Sequence, residues 1–411
     1  MTLYIDPGTG AMLFSIITGL VSVIWFGIRK LFILLKYSTS IKVNKANNHS
    51  IVIYSDDKRY WPVFEPIVRE FELRDFNVTY FTQSEDDPVL NANYTNLDAK
   101  YIGRSNAGFA KLNFLSATIV LSTTPGLDVY QWKRSKEVKL YVHIPHMLGE
   151  LTTYRMFGLD FYDVLLLSNS FQVDDCRSLE KVHNEKEKEC IVVGTPYFDA
   201  KYNKISSRED SKIDTKDDII VLLAPSWGSN SIFNRFGDET HNLLIDNLIS
   251  TGYKIIIRPH PQSFISEKKL MDELMKRYSE LEWNKDVDNN KVLEKSDIMI
   301  SDFSGVIFDY SFIYDKPVIC AYKELNRDCY DAWWLNKPIW TSQIIPSLGP
   351  VIDEDNIQDI KELIDKSVID RSYDKCRHEI RNKMWEYKGE GAQRTVDYLI
   401  KKYNELSEDT N

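Results

Sequence analysis

The sequence predicts an α/β protein: two Rossmann-like αβα domains facing each other across a cleft, preceded by an N-terminal membrane helix. Three observations predict this. Short apolar runs of strand length alternate with helical patterns from Ile51 to Ala321, as in parallel sheets covered on both faces. A charged stretch at 201–218, poor in large apolar residues, interrupts the alternation near its middle, as an interdomain linker does. Residues 11–28 are 18 positions without a charge, which is the lower limit for a membrane span.

In chain order, the first ten residues carry a single charge, Asp6. A cleaved leader would carry positive charge ahead of its apolar run. Here Arg29 and Lys30 follow the run, and the apolar pattern resumes to Leu35. Positive residues after the span place the rest of the chain in the cytoplasm. Residues 1–38 therefore read as a single-pass anchor in the cell membrane.

Residues 39–200 read as the first domain. Strands are expected at 51–54, 77–81, 117–122, 139–143, 162–168 and 189–194. A helix is expected at 63–73, where Val63, Phe64, Ile67, Val68 and Phe71 fall at helical spacing. After the 201–218 linker, residues 219–372 read as the second domain, with strands at 219–224, 253–257, 298–300 and 317–321. Helices are expected between them at 241–250, 270–281 and 306–314. Residues 373–411 read as a helical tail.

Bulk properties agree. A chain of 411 residues accommodates two ordinary domains, and 43% hydrophobic with 12% aromatic residues supplies their cores. The net charge of −10 excludes an overall basic field that would gather nucleic acid. Five cysteines at 176, 190, 320, 329 and 376 show no paired or metal-type spacing, which suits a reducing compartment. Glycine-rich dinucleotide and P-loop signatures and the Gly-x-Ser-x-Gly elbow are absent, so dehydrogenase, P-loop and serine-hydrolase readings lose their support.

Two strand ends in the second half carry phosphate-seeking groups. Strand 253–257 runs into Arg258-Pro-His-Pro261. The prolines hold His260 outside helix geometry, where it can donate to a phosphate oxygen. Arg258, one period earlier on the same face, adds charge. Strand 298–300 runs into Ser301, Asp302, Ser304 and Gly305, then a helix. Small residues there leave N–H groups bare at the positive end of a helix dipole. An ordinary capped turn accounts for one such residue better than for four in five. Asp309 either meets a ribose hydroxyl or faces solvent. Together these ends suggest a nucleotide site at the carboxyl edge of a parallel sheet.

Across the cleft, His143 and His146 follow strand 139–143. An imidazole there suits a general base, because its ordinary pKa near 6.5 lets it accept a proton at neutral pH. A metal pair is the alternative, although no third ligand lies nearby in sequence, and structural packing takes one of the two. Gly194 and Trp227 end their strands and line the cleft. Trp227 either stacks on a ligand or packs its loop, with packing favoured. Asp286 and Asp288 lie in a polar loop and are not read as a metal site; no metal is expected.

These segments resemble the CDP-glycerol glycerophosphotransferases of teichoic acid synthesis. The resemblance rests on Arg258-Pro-His-Pro261, residues 288–293, and Ser296–Ser304 with Phe308-Asp309. Looser matches are Val142-His143-Ile-Pro145, Gly194-Thr-Pro196 and Ala224-Pro-Ser-Trp227; together they cover about residues 110–325 in order. Two positions depart from the family pattern: Ile144 stands where a glycine is usual, and Gly305 where a serine is usual. The resemblance implies a GT-B fold. It also implies transfer of glycerol phosphate from a CDP-linked donor, which is a substrate and not a cofactor, to a hydroxyl of a lipid-linked glycan, with release of CMP. His143 would be the base, and His260, Ser301, Asp302 and Ser304 would hold the donor pyrophosphate. A related alditol donor, a nucleotide-sugar glycosyltransferase and a non-catalytic membrane assembly partner are the alternatives.

Overall fold

The computed structural model describes residues 18–25, 27–28, 49–206, 219–235, 240–286, 288–321, 324–328, 330–369 and 372–408. Two parallel sheets organise it. The first contains β1 (His49–Ser55), β2 (Val78–Thr82), β3 (Leu97–Tyr101), β4 (Ala117–Ser122), β5 (Val138–His143), β6 (Val164–Leu167) and β7 (Glu189–Val192), in the order β3-β2-β1-β4-β5-β6-β7. The second contains β8 (Ile220–Ala224), β9 (Lys254–Ile257), β10 (Glu282–Trp283), β11 (Ile298–Ser301), β12 (Val318–Ala321) and β13 (Val351–Ile352), in the order β10-β9-β8-β11-β12-β13. In each sheet the strand order reverses beside the first strand, between β1 and β4 and between β8 and β11. Ligands of open parallel sheets bind outside the carboxyl ends at such points.

The strands form because both of their faces are buried. In β1, Ile51 and Ile53 enter one apolar cluster while Val52 and Tyr54 enter the cluster on the opposite face. In β8, Val221 and Leu223 face one cluster, and Ile220, Leu222 and Ala224 face the other. Such strands read as continuous apolar runs, which is why they are visible in the sequence. The unexpected strands β3, β10 and β13 are edge or near-edge elements. The Leu97–Tyr101 segment has no fully buried residue, and β10 and β13 have two residues each.

The C-terminal segment holds two helices. The helix Asp374–Met384 packs Ile380 and Met384 against the second domain. After a turn containing Gly389, the helix Gly391–Glu408 buries Val396 and Leu399 in the core of the first. The chain thus crosses between domains twice. Of the expected linker, residues 201–206 end the helix Pro196–Ser206, and 207–218 lie outside the described residues. Most of the expected anchor, 1–38, also lies outside them; residues 18–25 are helical. Among the described residues no helix is long and apolar enough to cross a membrane.

Candidate active site

Strand ends of both sheets meet at the domain boundary. In the second domain, β8 ends at Ala224, β9 at Ile257 and β11 at Ser301. Ser301 Oγ donates to the Ala224 carbonyl at 2.7 Å and is buried. Asp302 is buried too. Its carboxylate accepts from the Ser226 N–H at 3.0 Å, Ser226 Oγ at 2.8 Å, the Ile232 N–H at 2.9 Å and the Ser304 N–H at 3.1 Å. Burial pushes this carboxyl up from its ordinary pKa, against the pull of those hydrogen bonds. Ser301 and Asp302, expected to meet the donor, have protein partners in this structure. Both hold the β8 and β11 turns to each other from inside, and only Ser304 and Gly305 reach the surface of the turn.

The chain from Val306 to Ile313 is helical, first α and then a π turn. Its earliest bonds run from Ile307 N to Ser304 O and from Phe308 N to Gly305 O. The N–H groups of Gly305 and Val306 precede them, where a helix start has donors to spare. Asp309 does not face solvent. It is buried and accepts from Tyr197 Oη at 2.8 Å and Lys201 Nζ at 3.0 Å, both from the helix at the domain crossing.

Arg258 and His260 follow β9. Arg258 is largely buried and donates through Nη1 to Asn284, and burial lowers its pKa. His260 is half-buried. The Gln262 N–H donates to its Nδ1 at 3.1 Å, so the neutral ring carries its proton on Nε2. Its pKa falls to about 4, by burial first and then by the charges of Arg59, Arg258 and His146. The Trp227 ring lies 6.2 Å from the His260 ring, tilted 32°, and is about one-third exposed (38%).

On the first domain the two histidines separate. His143, the last residue of β5, is 0% exposed. Its ring sits 4.9 Å from Tyr162 and 5.7 Å from Tyr154, with Nε2 3.4 Å from Tyr154 Oη. Burial drives its pKa to about 3. His143 is thus enclosed by two tyrosines, and its Nδ1 has no hydrogen-bond partner among the described residues. His146 occupies the boundary. Its ring lies 4.9 Å from Tyr60 and 6.1 Å from Tyr154, and Nδ1 lies 3.2 Å from Thr123 Oγ1. Burial and then the Arg59 charge lower its pKa to about 4.

The loop after His146 touches the turn after β11. A Cβ placed on Gly305 would lie 3.9 Å from Met147 Cβ, and one on Gly149 would lie 3.6 Å from Phe308 Cε2. Glu150 accepts from the Thr341 N–H at 3.1 Å, and Asp175 from Trp340 Nε1 at 3.0 Å. Gly194 does not line this cleft. It has φ of +88°, and a Cβ there would lie 2.7 Å from the Glu386 carbonyl oxygen, so it admits the returning C-terminal segment.

Arg59, Tyr60 and Thr123 were not expected here. Arg59 and Tyr60 follow β1 and Thr123 follows β4, at the switch point of the first sheet. The signal for the first pair was available: a charged Asp56-Asp-Lys-Arg-Tyr60 turn soon after the apolar run 51–54. Among the described residues, one group of three metal-type side chains converges, Cys176, Glu180 and Cys190, with ligand atoms within 4.8 Å. It lies at the β7 edge, and its Glu180 already accepts from Arg177 Nη1 and the Lys188 N–H, each at 2.6 Å.

Residues 82–401 match the family model described as CDP-glycerol:poly(glycerophosphate) glycerophosphotransferase. The chain belongs to this family. A teichoic acid poly(glycerol phosphate) polymerase of Bacillus spizizenii is 29% identical over 209 residues, covering 45% of this chain. The chain covers 50% of that curated relative, about half its length. Among solved structures, the wall teichoic acid polymerase TagF aligns with TM-score 0.56 and 15% identity, over 93% of this chain and 99% of that one. A second TagF structure, a variant with CDPG, aligns with TM-score 0.54 and 15% identity over 92% and 98%. UDP-GlcNAc 2-epimerase of Methanocaldococcus jannaschii aligns with TM-score 0.55 and 14% identity, over 85% and 99%. At such identities the structures share a fold, two parallel-sheet domains of GT-B type.

Proposed function

We propose that this member of the glycerophosphotransferase family transfers glycerol phosphate, or a related alditol phosphate, from a CDP-linked donor. The acceptor is a hydroxyl of a membrane-linked glycan, and CMP leaves. Family membership supports the donor class. One observation carries the assignment of the site: His146 of one domain lies near enough to His260 of the other for its charge to depress His260, and the loop after His146 touches Gly305 through Met147.

The chemistry follows from the positions. The acceptor oxygen bonds to the glycerol-bearing phosphorus, and the bond from that phosphorus to the oxygen bridging to CMP breaks. Little covalent work falls to the protein in such a reaction; positioning and charge stabilisation dominate. His260 donates its Nε2 proton as a hydrogen bond to the donor diphosphate, and the N–H groups of Gly305 and Val306 assist. His146, with Nδ1–H directed at Thr123, presents Nε2 to take the acceptor proton. A pKa of about 4 keeps His146 neutral at pH 7 in the empty site, and a bound anionic donor raises it toward the range useful to a base. Trp227, over His260, covers the diphosphate side.

Membrane attachment at the N-terminus, with both domains on the cytoplasmic side, is part of the same proposal. It is supported by the uncharged run at 11–28 and by exposed Leu20, Val21, Val23, Ile24 and Trp25 in its helical part. The test is incubation of the full chain in detergent or vesicles with CDP-glycerol, CDP-ribitol and UDP-sugars, each with a lipid-linked acceptor, reading released nucleotide. CMP from a CDP-alditol is expected. Release of UDP from a sugar donor, or of no nucleotide at all, would overturn the reading.

A further inference from the structure

We propose that Arg59, seated on Tyr60 at the end of β1, binds a phosphate group in the cleft opposite His260. Arg59 precedes the residues matched by the family model, 82–401. The inference rests on the transferase reading for its choice of phosphate compounds, but not for the site itself.

Three observations lead to it. First, place: the Arg59 guanidinium lies 5.5 Å from the centre of the Tyr60 ring, and that ring packs 4.9 Å from His146. An arginine stacked on an aromatic face keeps its in-plane donors free for an oxyanion. Second, reach: Arg59 belongs to the first domain, yet its charge depresses His260 of the second more than Arg258 does from two residues away. Third, incomplete pairing. Asp57 pairs with the guanidinium, at 3.3 Å from Nε and 3.4 Å from Nη2, and the charge of Arg59 also reaches the buried Asp56 carboxyl. The Arg59 and Asp57 side chains are substantially exposed, 42% and 38%, and such pairs contribute little. Nη1 has no partner among the described residues.

Arg59, Arg258, His146 and His260 therefore converge from two domains. Arg258 has the charges of Asp286 and Asp288 near it, and Arg59 has those of Asp56 and Asp57. At neutral pH the two imidazoles are uncharged and the arginines carry the positive charge, which an anion between the domains would meet. A phosphate between Arg59 and His260 meets a planar fork from one side and an imidazole N–H from the other, which is charge-assisted recognition. Two phosphates could occupy the place: the transferring phosphoryl group of the donor, or a phosphate already carried by the acceptor.

The test uses the full chain, with Arg59→Ala, Arg59→Lys and, as a control, Lys58→Ala. Lys58 is paired with Asp86, so its loss changes net charge without touching the cleft. Pyrophosphate and CDP-glycerol binding are followed by thermal protection. The acceptor KM is measured for a prenyl-linked disaccharide with and without a terminal glycerol phosphate. Arg59→Ala should weaken binding at least tenfold, Arg59→Lys less, and Lys58→Ala less than twofold. A loss in CDP-glycerol binding assigns the donor phosphate. A rise in KM confined to the phosphate-bearing acceptor assigns the acceptor phosphate. Wild-type binding of pyrophosphate left unchanged in Arg59→Ala, with KM values also unchanged, would overturn the inference. If no donor turns over, the transferase reading fails, and the pyrophosphate arm still decides Arg59.

Discussion

The two strand-end edges that face each other are built by different means. On the second domain, one buried carboxylate fixes the architecture: Asp302 gathers three backbone N–H groups and a hydroxyl from two turns. The neighbouring His260 is set by a backbone N–H and two flanking prolines. On the first domain, His146 is set by the rings of Tyr60 and Tyr154 and a single hydroxyl contact. Hydrogen bonds from a buried carboxylate are directional, and rings in contact tolerate sliding. The turn beside His260 is thus held by directional bonds, and the His146 ring itself by ring contacts. On the proposed reading, the first is the donor edge and the second the acceptor edge.

The largest effects should come from the two imidazoles, and they should differ in kind. His146→Ala is expected to lower kcat by about 10²–10⁴-fold, the usual range for a general base, with CDP-glycerol binding retained. His260→Ala is expected to lose turnover and donor affinity together. Steady-state CMP release combined with CDP-glycerol thermal protection separates them. If His146→Ala turns over normally while His143→Ala does not, the division of the histidines argued above is wrong.

That division was the part of the site least legible in the sequence. His143 and His146 both follow a strand, and either could face the cleft. The division proposed here rests on the packing of Tyr154 and Tyr162 on His143, and those tyrosines come from positions 11 and 19 residues further on. The β11 turn was legible as a unit but not in its parts: four small polar residues were visible, and the structure turns Ser301 and Asp302 inward and Ser304 and Gly305 outward. Arg59 lay beyond any motif. The central strands were legible because both faces are apolar. The edge strand β3 was not, because Asp98 and Lys100 alternate with half-buried residues.

Breaking the turn held by Asp302 should be the next largest effect. Asp302→Ala leaves the Ser226, Ile232 and Ser304 N–H groups without their acceptor in a buried place. The expected cost is about 3–5 kcal/mol, at about 1–3 kcal/mol per orphaned donor with partial rescue by water. The measurement is the urea midpoint of the second domain. Asp302→Asn should cost less, since one acceptor oxygen remains. An unchanged midpoint in Asp302→Ala would mean that these directional bonds do not hold the turn.

A pH scan distinguishes the edges without mutation. The folded pKa values of His143, His146 and His260, about 3, 4 and 4, lie below the unfolded value near 6.5. The unfolded chain therefore binds more protons between about pH 4 and 6.5. Their contribution is fully present above 6.5 and is lost as pH falls toward the folded values. For His143 alone the loss at pH 5 is about 2 kcal/mol, at about 1.4 kcal/mol per pH unit. His143→Phe should flatten the acid limb of a melting-temperature profile. Since the ring is enclosed, kcat should change little. A kcat loss as large as that of His146→Ala would return His143 to the chemistry.

The smallest effect concerns the contact that joins the edges. Glu150 lies in the loop after His146, and its carboxyl accepts from Thr341 of the second domain and from Thr152. Burial and then the charge of Asp175 raise its pKa to about 8. The sign is opposite to that of the histidines. A carboxyl whose folded pKa exceeds its unfolded value contributes fully below about 4.5, and the contribution is lost as pH rises through about 8. Burial and the Asp175 charge thus favour the protonated Glu150 at the domain contact, and alkaline conditions favour a second charge beside Asp175. Glu150→Gln keeps an acceptor for Thr341 and cannot ionise. Its melting temperature should match the wild type near pH 5 and exceed it by a few degrees near pH 9. Since Glu150 follows the His146 loop directly, the wild-type acceptor KM should rise over the same interval while donor affinity holds. A parallel rise in both would mean that the acceptor edge does not move independently of the donor edge.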